Sequence, residues 1–174
     1  DGRTDVLTKW IPILQEKSFK MAVAVVTSFP NNEVNYMTWE QIENIKSTYG
    51  VEIVNHYNAH VQLGTLTEEQ LRSDFENSVS MLKSKGYSYD IMVYPGGSQN
   101  ALVRQVTREY CRTGIYIAGG VNYPPLETFA LKRETLIPME GTMGDVSTYT
   151  AHIDNAIANN GWIIFMTHSQ YTAF

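Results

Sequence analysis

The run Met21-Ala22-Val23-Ala24-Val25-Val26, together with Trp162-Ile163-Ile164-Phe165-Met166, decides the fold. Neither run alternates polar with apolar side chains, as a strand with one wet face would. Strands of this kind are covered on both faces, the condition of a parallel sheet clad by helices. Met21–Phe29, Val51–Asn55, Tyr89–Tyr94, Ile115–Ala118 and Trp162–Thr167 are accordingly expected as strands. Helical patterns separate them. Thr38 followed by Gln41, and Thr67 followed by Gln70, are capping-box signatures. The first opens a face of Ile42, Ile45 and Tyr49 stopped by Gly50; the second opens a stripe of Leu71, Phe75, Val79 and Leu82 ending at Gly86. Ala101–Cys111 and Ser147–Ala158 carry apolar residues at helical spacing, and Leu7–Lys17 reads as a helix whose first turn tolerates Pro12. This β–α alternation predicts an α/β architecture, either an open doubly wound sheet or a barrel. Pro124-Pro125 and Pro138–Asp145 read as the long loops.

With 174 residues, 43% of them hydrophobic and 18% charged, the chain can bury one substantial core, so residues 1–174 are expected as a single domain. A formal charge of −5 argues against a nucleic-acid footprint, and no apolar run approaches the length of a membrane span. The lone Cys111 excludes an internal disulfide and a thiolate metal cluster. The sequence opens at Asp1 without methionine and closes on Gln170-Tyr171-Thr172-Ala173-Phe174 without a closing element, which reads as a processed or excised domain truncated at both ends.

Three predicted strand ends carry chemistry. His56 follows the second strand, Tyr94-Pro95-Gly96-Gly97 follows the third, and His168 follows the last. In parallel α/β folds the carboxyl ends of the strands share one face, where active sites are built. In His56-Tyr57-Asn58-Ala59-His60, a helical turn would point both imidazoles the same way, able to share a cation. The pattern lacks the Glu of the helical metalloprotease motif, and two unrelated loop histidines is the competing reading. His168 reads either as a satisfied core histidine or as a proton donor, and Asp1 taken alone as a solvated terminal carboxylate. His152 reads as a surface or interhelical residue and Cys111 as core. Tyr36, Trp39, Tyr57, Tyr94 and Tyr123 fall in or near predicted loops of the same face, where aromatic rings can stack on sugars.

Taken in order, Asp1-Gly2, His56-x-x-x-His60, Tyr94-Pro95-Gly96-Gly97 and Met166-Thr167-His168 resemble the motifs of the polysaccharide deacetylase family, the NodB-homology domains of carbohydrate esterase family 4. The resemblance spans essentially the whole chain. It implies an irregular (β/α) barrel with parallel strands and hydrolysis of N- or O-acetyl groups on a polysaccharide. By it, Asp1, His56 and His60 hold a divalent metal, expected to be zinc. The general-base Asp would precede Asp1. The resemblance also assigns Gly96 N–H to the oxyanion, Tyr94, Pro95 and Met166 to substrate contact, and His168 to the general acid, with Asp145 as its best-positioned carboxylate partner and Asp154 a weaker choice. The sequence departs from the family pattern at Val93, where an Arg normally orients the base, and at Tyr57, where Ser or Thr is usual; an Asp-and-Trp fourth motif is not placed. Two other readings follow. One is a catalytically degenerate carbohydrate-binding domain of a cell-surface or virion protein; the other is a hydrolase of cyclic amides or imides. The expected partner is an acetylated polysaccharide or oligosaccharide, and the expected location extracellular or associated with the cell envelope.

Overall fold

The computed structural model describes residues 1–136 and 145–168. The helices are α1 (Ile11–Lys17), α2 (Trp39–Tyr49), α3 (Glu68–Ser84), α4 (Ala101–Tyr110) and α5 (Val146–Ala158). The strands are β1 (Ala22–Val25), β2 (Glu52–Asn55), β3 (Ile91–Val93), β4 (Thr113–Ile117), β5 (Leu131–Thr135) and β6 (Phe165–Met166). All six strands are parallel and their spatial order is their chain order, β1 to β6. An open doubly wound sheet reverses direction at a switch point, and this one never does. Right-handed crossovers that always step the same way bring the connecting segments to one face. The result is a curled half-barrel, the barrel alternative of the two architectures expected. It is irregular because the β4–β5 connection, residues 118–130, carries no helix.

Both capping boxes form as predicted. Thr38 Oγ1 accepts from Gln41 N at 3.1 Å while Gln41 Oε1 accepts from Thr38 N at 2.8 Å, and Thr67 and Gln70 repeat the exchange at 3.2 and 2.9 Å. Each such cap is worth about 1 kcal/mol. Gly50, at φ 68°, ends α2 by donating to Ile45 and Lys46 carbonyls. The expected helix 7–17 is broken in two, because residues Val6–Trp10 form a π-helical turn before α1 begins. The last strand is shorter than expected, Phe165–Met166 rather than Trp162–Thr167. The expected loop Pro138–Asp145 lies, apart from Asp145, outside the described residues.

Apolar burial falls into two clusters. One gathers Ile11 and Leu14 of α1, Ile42 and Ile45 of α2, and Val23, Val25 and Ile53 of β1 and β2. The other joins Leu71 and Phe75 of α3 to Met92, Tyr94, Val103 and Val106. Fully buried Phe75 stacks on Tyr110 with ring centroids 5.1 Å apart, tying α3 to α4. Removing such a ring costs about 3–5 kcal/mol. These clusters clamp β2 and β3 from their helix side, which fixes where His56 and the 94–97 turn emerge.

Candidate metal centre

His56 is the first residue after β2 and is buried. Its Nδ1 lies 2.5 Å from the Val93 carbonyl at the end of β3. A carbonyl oxygen only accepts, so Nδ1 carries the proton and Nε2 presents a bare lone pair. That Nε2 stands 2.9 Å from Asp1 Oδ1. Burial above all holds the His56 imidazole well below its ordinary pKa, so it is neutral at pH 7. Two acceptors therefore face each other with no proton between them. A cation placed between them would resolve that contact.

His60 joins by a route other than the expected helical turn. Asn55 Oδ1 accepts from Tyr57 N at 2.7 Å, and Tyr57 takes a left-handed φ of 71° while its ring plugs into the core and its hydroxyl donates to Leu71 O at 3.0 Å. This reversal brings the His60 ring edge-on to His56, centroids 5.2 Å apart, and places His60 Nε2 3.6 Å from Asp1 Oδ1. One ligand atom from each of Asp1, His56 and His60 lies within 4.8 Å of the others. An Asp and two imidazoles form an oxygen–nitrogen donor set suited to zinc or another divalent transition metal. Asp1 is held in place by its successors: Gly2 O accepts from Met37 N at 2.8 Å, and Arg3 bridges antiparallel to Tyr36. Gly2, at φ 77°, also lies against Val25, 3.6 Å from where a Cβ would stand.

His168, two residues past β6, brings Nε2 to 3.9 Å from the other carboxylate oxygen of Asp1. Burial first, and after it nearby positive charge that includes Arg133, lowers its pKa to about 4. Met166 is half-buried in β6 opposite Thr135, whose hydroxyl donates to its sulfur at 3.5 Å. After β3, Pro95–Gly97 form one 3₁₀ turn with Gly96 and Gly97 at φ 57° and 68°. Gly96 N–H makes no backbone hydrogen bond among the described residues.

Several expected residues do other work. Tyr94 is fully buried, its N–H donates to Ile115 O at 2.9 Å, its carbonyl accepts from Gly97 N, and its hydroxyl donates to Phe129 O at 3.0 Å. Its ring packs where Gly114 leaves room, since a Cβ on Gly114 would stand 2.6 Å from Tyr94 Cζ. The Tyr94 side chain is therefore part of the core, and Pro95 is buried within the turn. Tyr57 is likewise core, and Trp39 packs on Tyr87 of the α2 side. Tyr36 stays half-buried, edge-on to Phe29 at 4.5 Å. Asp145 is exposed and caps α5, with Ser147 N and Oγ at 2.9 and 2.7 Å, in place of the pairing with His168 that the sequence suggested. His152 of α5 lies 3.4 Å from Glu134 of β5.

Sequence reasoning missed β5 and with it Arg133, an arginine only 8% exposed. Its charge bears on the Asp1 amino group, His56, His60 and His168. The signal was the alternation of Leu131, Arg133 and Thr135 against Lys132 and Glu134.

A one-way parallel half-barrel with an Asp–His–His cluster at the carboxyl ends of its strands has the architecture of the NodB-homology domains. The chain belongs to the polysaccharide deacetylase family, whose family model matches residues 1–114. Solved structures similar to it include Streptococcus pyogenes deacetylase PplD in complex with acetate, at 20% identity and TM-score 0.72, covering 77% of this chain and 60% of that one. IcaB from Ammonifex degensii aligns at 17% identity and TM-score 0.72, covering 81% of this chain and 66% of that one. A de-N-acetylase from Aggregatibacter actinomycetemcomitans aligns at 18% identity and TM-score 0.71, covering 87% and 72%. The chain thus spans about three-fifths of the length of the S. pyogenes protein. No curated protein matches it by sequence. No helix among the described residues is long and apolar enough to cross a membrane.

Proposed function

We propose that this protein is a metal-dependent hydrolase that removes N- or O-acetyl groups from an extracellular or cell-envelope polysaccharide. The observation that carries the reading is the 2.9 Å contact between the unprotonated His56 Nε2 and Asp1 Oδ1, with His60 alongside. Asp1, His56 and His60 would hold a divalent cation, zinc being the best match to the donors. When bound, such an ion supplies Lewis acidity toward an acetyl carbonyl.

The chain's own groups supply the rest. Nδ1–H of His56, fixed by the Val93 carbonyl, keeps Nε2 as a lone-pair donor throughout. Gly96 N–H, left without a backbone acceptor, donates to the oxygen that gains charge as the carbonyl carbon becomes tetrahedral. His168, neutral at rest, takes up at Nε2 the proton released as water adds, and delivers it to the departing nitrogen or oxygen. Met166 walls the acetyl group beside it.

The test is acetate release by the zinc-loaded protein from N-acetylglucosamine oligomers and from O-acetylated xylan. Wild type releases acetate, and His168→Ala abolishes release while keeping its zinc. Release undiminished in that variant removes His168 from the mechanism. A second reading, a carbohydrate-binding domain without turnover, is favoured by Val93, buried where the family pattern has an Arg, and by Asp145 being engaged in its helix cap. Glycan binding with no acetate from any substrate would select it.

A further inference from the structure

The two histidines of the centre are held very differently. His56 is seated by the sheet: its N–H donates to Val25 O at 3.0 Å, and its Nδ1 to Val93 O. His60 has no strand or helix beneath it, since residues 56–62 are irregular, and its side chain is 38% exposed. Its place depends on the reversal at Tyr57 and Asn58. The Tyr57 ring is committed to the core and its hydroxyl to Leu71 O of α3. A second grip on the reversal comes from Thr27, two residues past β1 and only 2% exposed. Thr27 N donates to Tyr57 O at 3.0 Å, and its Oγ1 lies 3.1 Å from Asn58 Oδ1 and 3.4 Å from Tyr57 O. Ser28 N donates to Asn58 O at 3.2 Å. From the other side, Asn58 Nδ2 donates to Asp74 Oδ1 of α3 at 3.3 Å. A carboxylate only accepts, so it takes the N–H of the amide and turns the amide oxygen toward the Thr27 hydroxyl. The Asn58 side chain is thereby fixed in one orientation between β1 and α3, two residues before His60.

We propose that Thr27 and Asn58 are positioning residues of the metal centre, and that the hydrogen bond from the Thr27 hydroxyl to Asn58 sets where His60 stands against Asp1 and His56. The inference rests on the reading of Asp1, His56 and His60 as metal ligands given above, and names what preorganises the third of them. A ligand carried on irregular backbone is placed less precisely than one on a strand, and hydrogen bonds behind the ligand restore the precision. Serine at position 27 keeps the hydroxyl, whereas valine keeps only the shape. Because Thr27 and Asn58 act through one bond, losing both should cost little more than losing either. His56, anchored by β2 and the Val93 carbonyl, does not depend on that bond.

The experiment compares the full chain with Thr27→Val, Thr27→Ser, Asn58→Ala and the Thr27→Val/Asn58→Ala double variant. Histidine ring resonances are followed by ¹H–¹⁵N NMR in the metal-free proteins, and zinc affinity by competition with a chelating dye. Without metal, Thr27→Val should shift the His60 ring resonances by more than those of His56. Zinc affinity should fall roughly tenfold or more in Thr27→Val and return to near the wild-type value in Thr27→Ser. The double variant should bind zinc within about twofold of the weaker single variant. Thr107→Val deletes another buried hydroxyl, bonded to Val103 O at 2.7 Å in α4, and should melt at a lower temperature without moving either readout. Zinc affinity within about twofold of wild type in Thr27→Val, or His60 resonances that stay in place, overturns the proposal. So does a Thr107→Val that weakens zinc as much, since lost stability alone then accounts for the effect. Where Thr27→Val does not fold, Asn58→Ala is read by the same criteria. His60 resonances that depend on Thr27 in a protein that takes up no zinc would leave this inference standing and remove the metal reading. Zinc bound alike by wild type and Thr27→Val would do the reverse.

Discussion

Gly97→Ala tests the turn that holds Gly96. Gly97 has φ 68°, and an added Cβ would stand 2.9 Å from Ile117 Cβ, 3.0 Å from its Cγ1 and 3.0 Å from its backbone nitrogen. A left-handed conformation costs a non-glycine residue about 1–2 kcal/mol. The contact adds overpacking of about 1–3 kcal/mol, and no rotamer change relieves it, because Ile117 Cβ and N are set by β4. Together these lower the melting temperature by roughly 5–15 °C for a chain of this size. Gly86→Ala is the control: φ is 72°, but nothing lies within 4 Å of its Cβ position, so it meets the conformational cost alone. Thermal melts of the two variants beside wild type separate strain from collision. Gly97→Ala should melt well below Gly86→Ala and lose acetate release as well. Melting temperatures within about 2 °C of each other would refute the assigned packing of the turn on β4.

Tyr94→Phe should cost about 1 kcal/mol of stability by leaving the Phe129 carbonyl without its donor, and should leave KM unchanged; a raised KM with full stability would return Tyr94 to the substrate site. The metal-free protein should lose stability on acidification. His56, His60 and His168 all have folded pKa values lowered first by burial, His168 to about 4, so the unfolded chain takes up protons from about pH 6.5 downward before the folded one does. Their contribution is fully present above pH 6.5 and is lost progressively toward pH 4. Melting temperature against pH should therefore fall less steeply in His168→Ala than in wild type, and equal slopes would contradict the assignment.

Much of this architecture is legible in the residues, and the gaps have physical causes. The capping boxes at Thr38 and Thr67 are local, so the sequence alone specifies them. The both-faces-buried strands indicate a parallel sheet, but only the one-way strand order distinguishes barrel from doubly wound sheet, and that order is a long-range property. Strand β5 escapes because Lys132, Arg133 and Glu134 together read as a solvated stretch, while the fold turns Arg133 inward. The histidine pair is visible as a spacing, yet the spacing suggests a helix. The actual reversal depends on Asn55 bonding Tyr57 N and on Tyr57 accepting φ 71° to sink its ring beneath α3. Tyr94 illustrates the same limit, since a tyrosine after a strand looks alike whether it faces a sugar or a core. Asp145 two residues ahead of Ser147 did carry a readable signal, that of a helix N-cap.

Zinc titration of the metal-free protein at pH 7, followed calorimetrically and by elemental analysis after dialysis, addresses the metal centre without reference to any substrate. One zinc should bind per chain, with affinity reduced at least tenfold in His56→Ala and in His60→Ala. No zinc retained by the wild type, or equal retention by both variants, would contradict the assignment of Asp1, His56 and His60 as ligands.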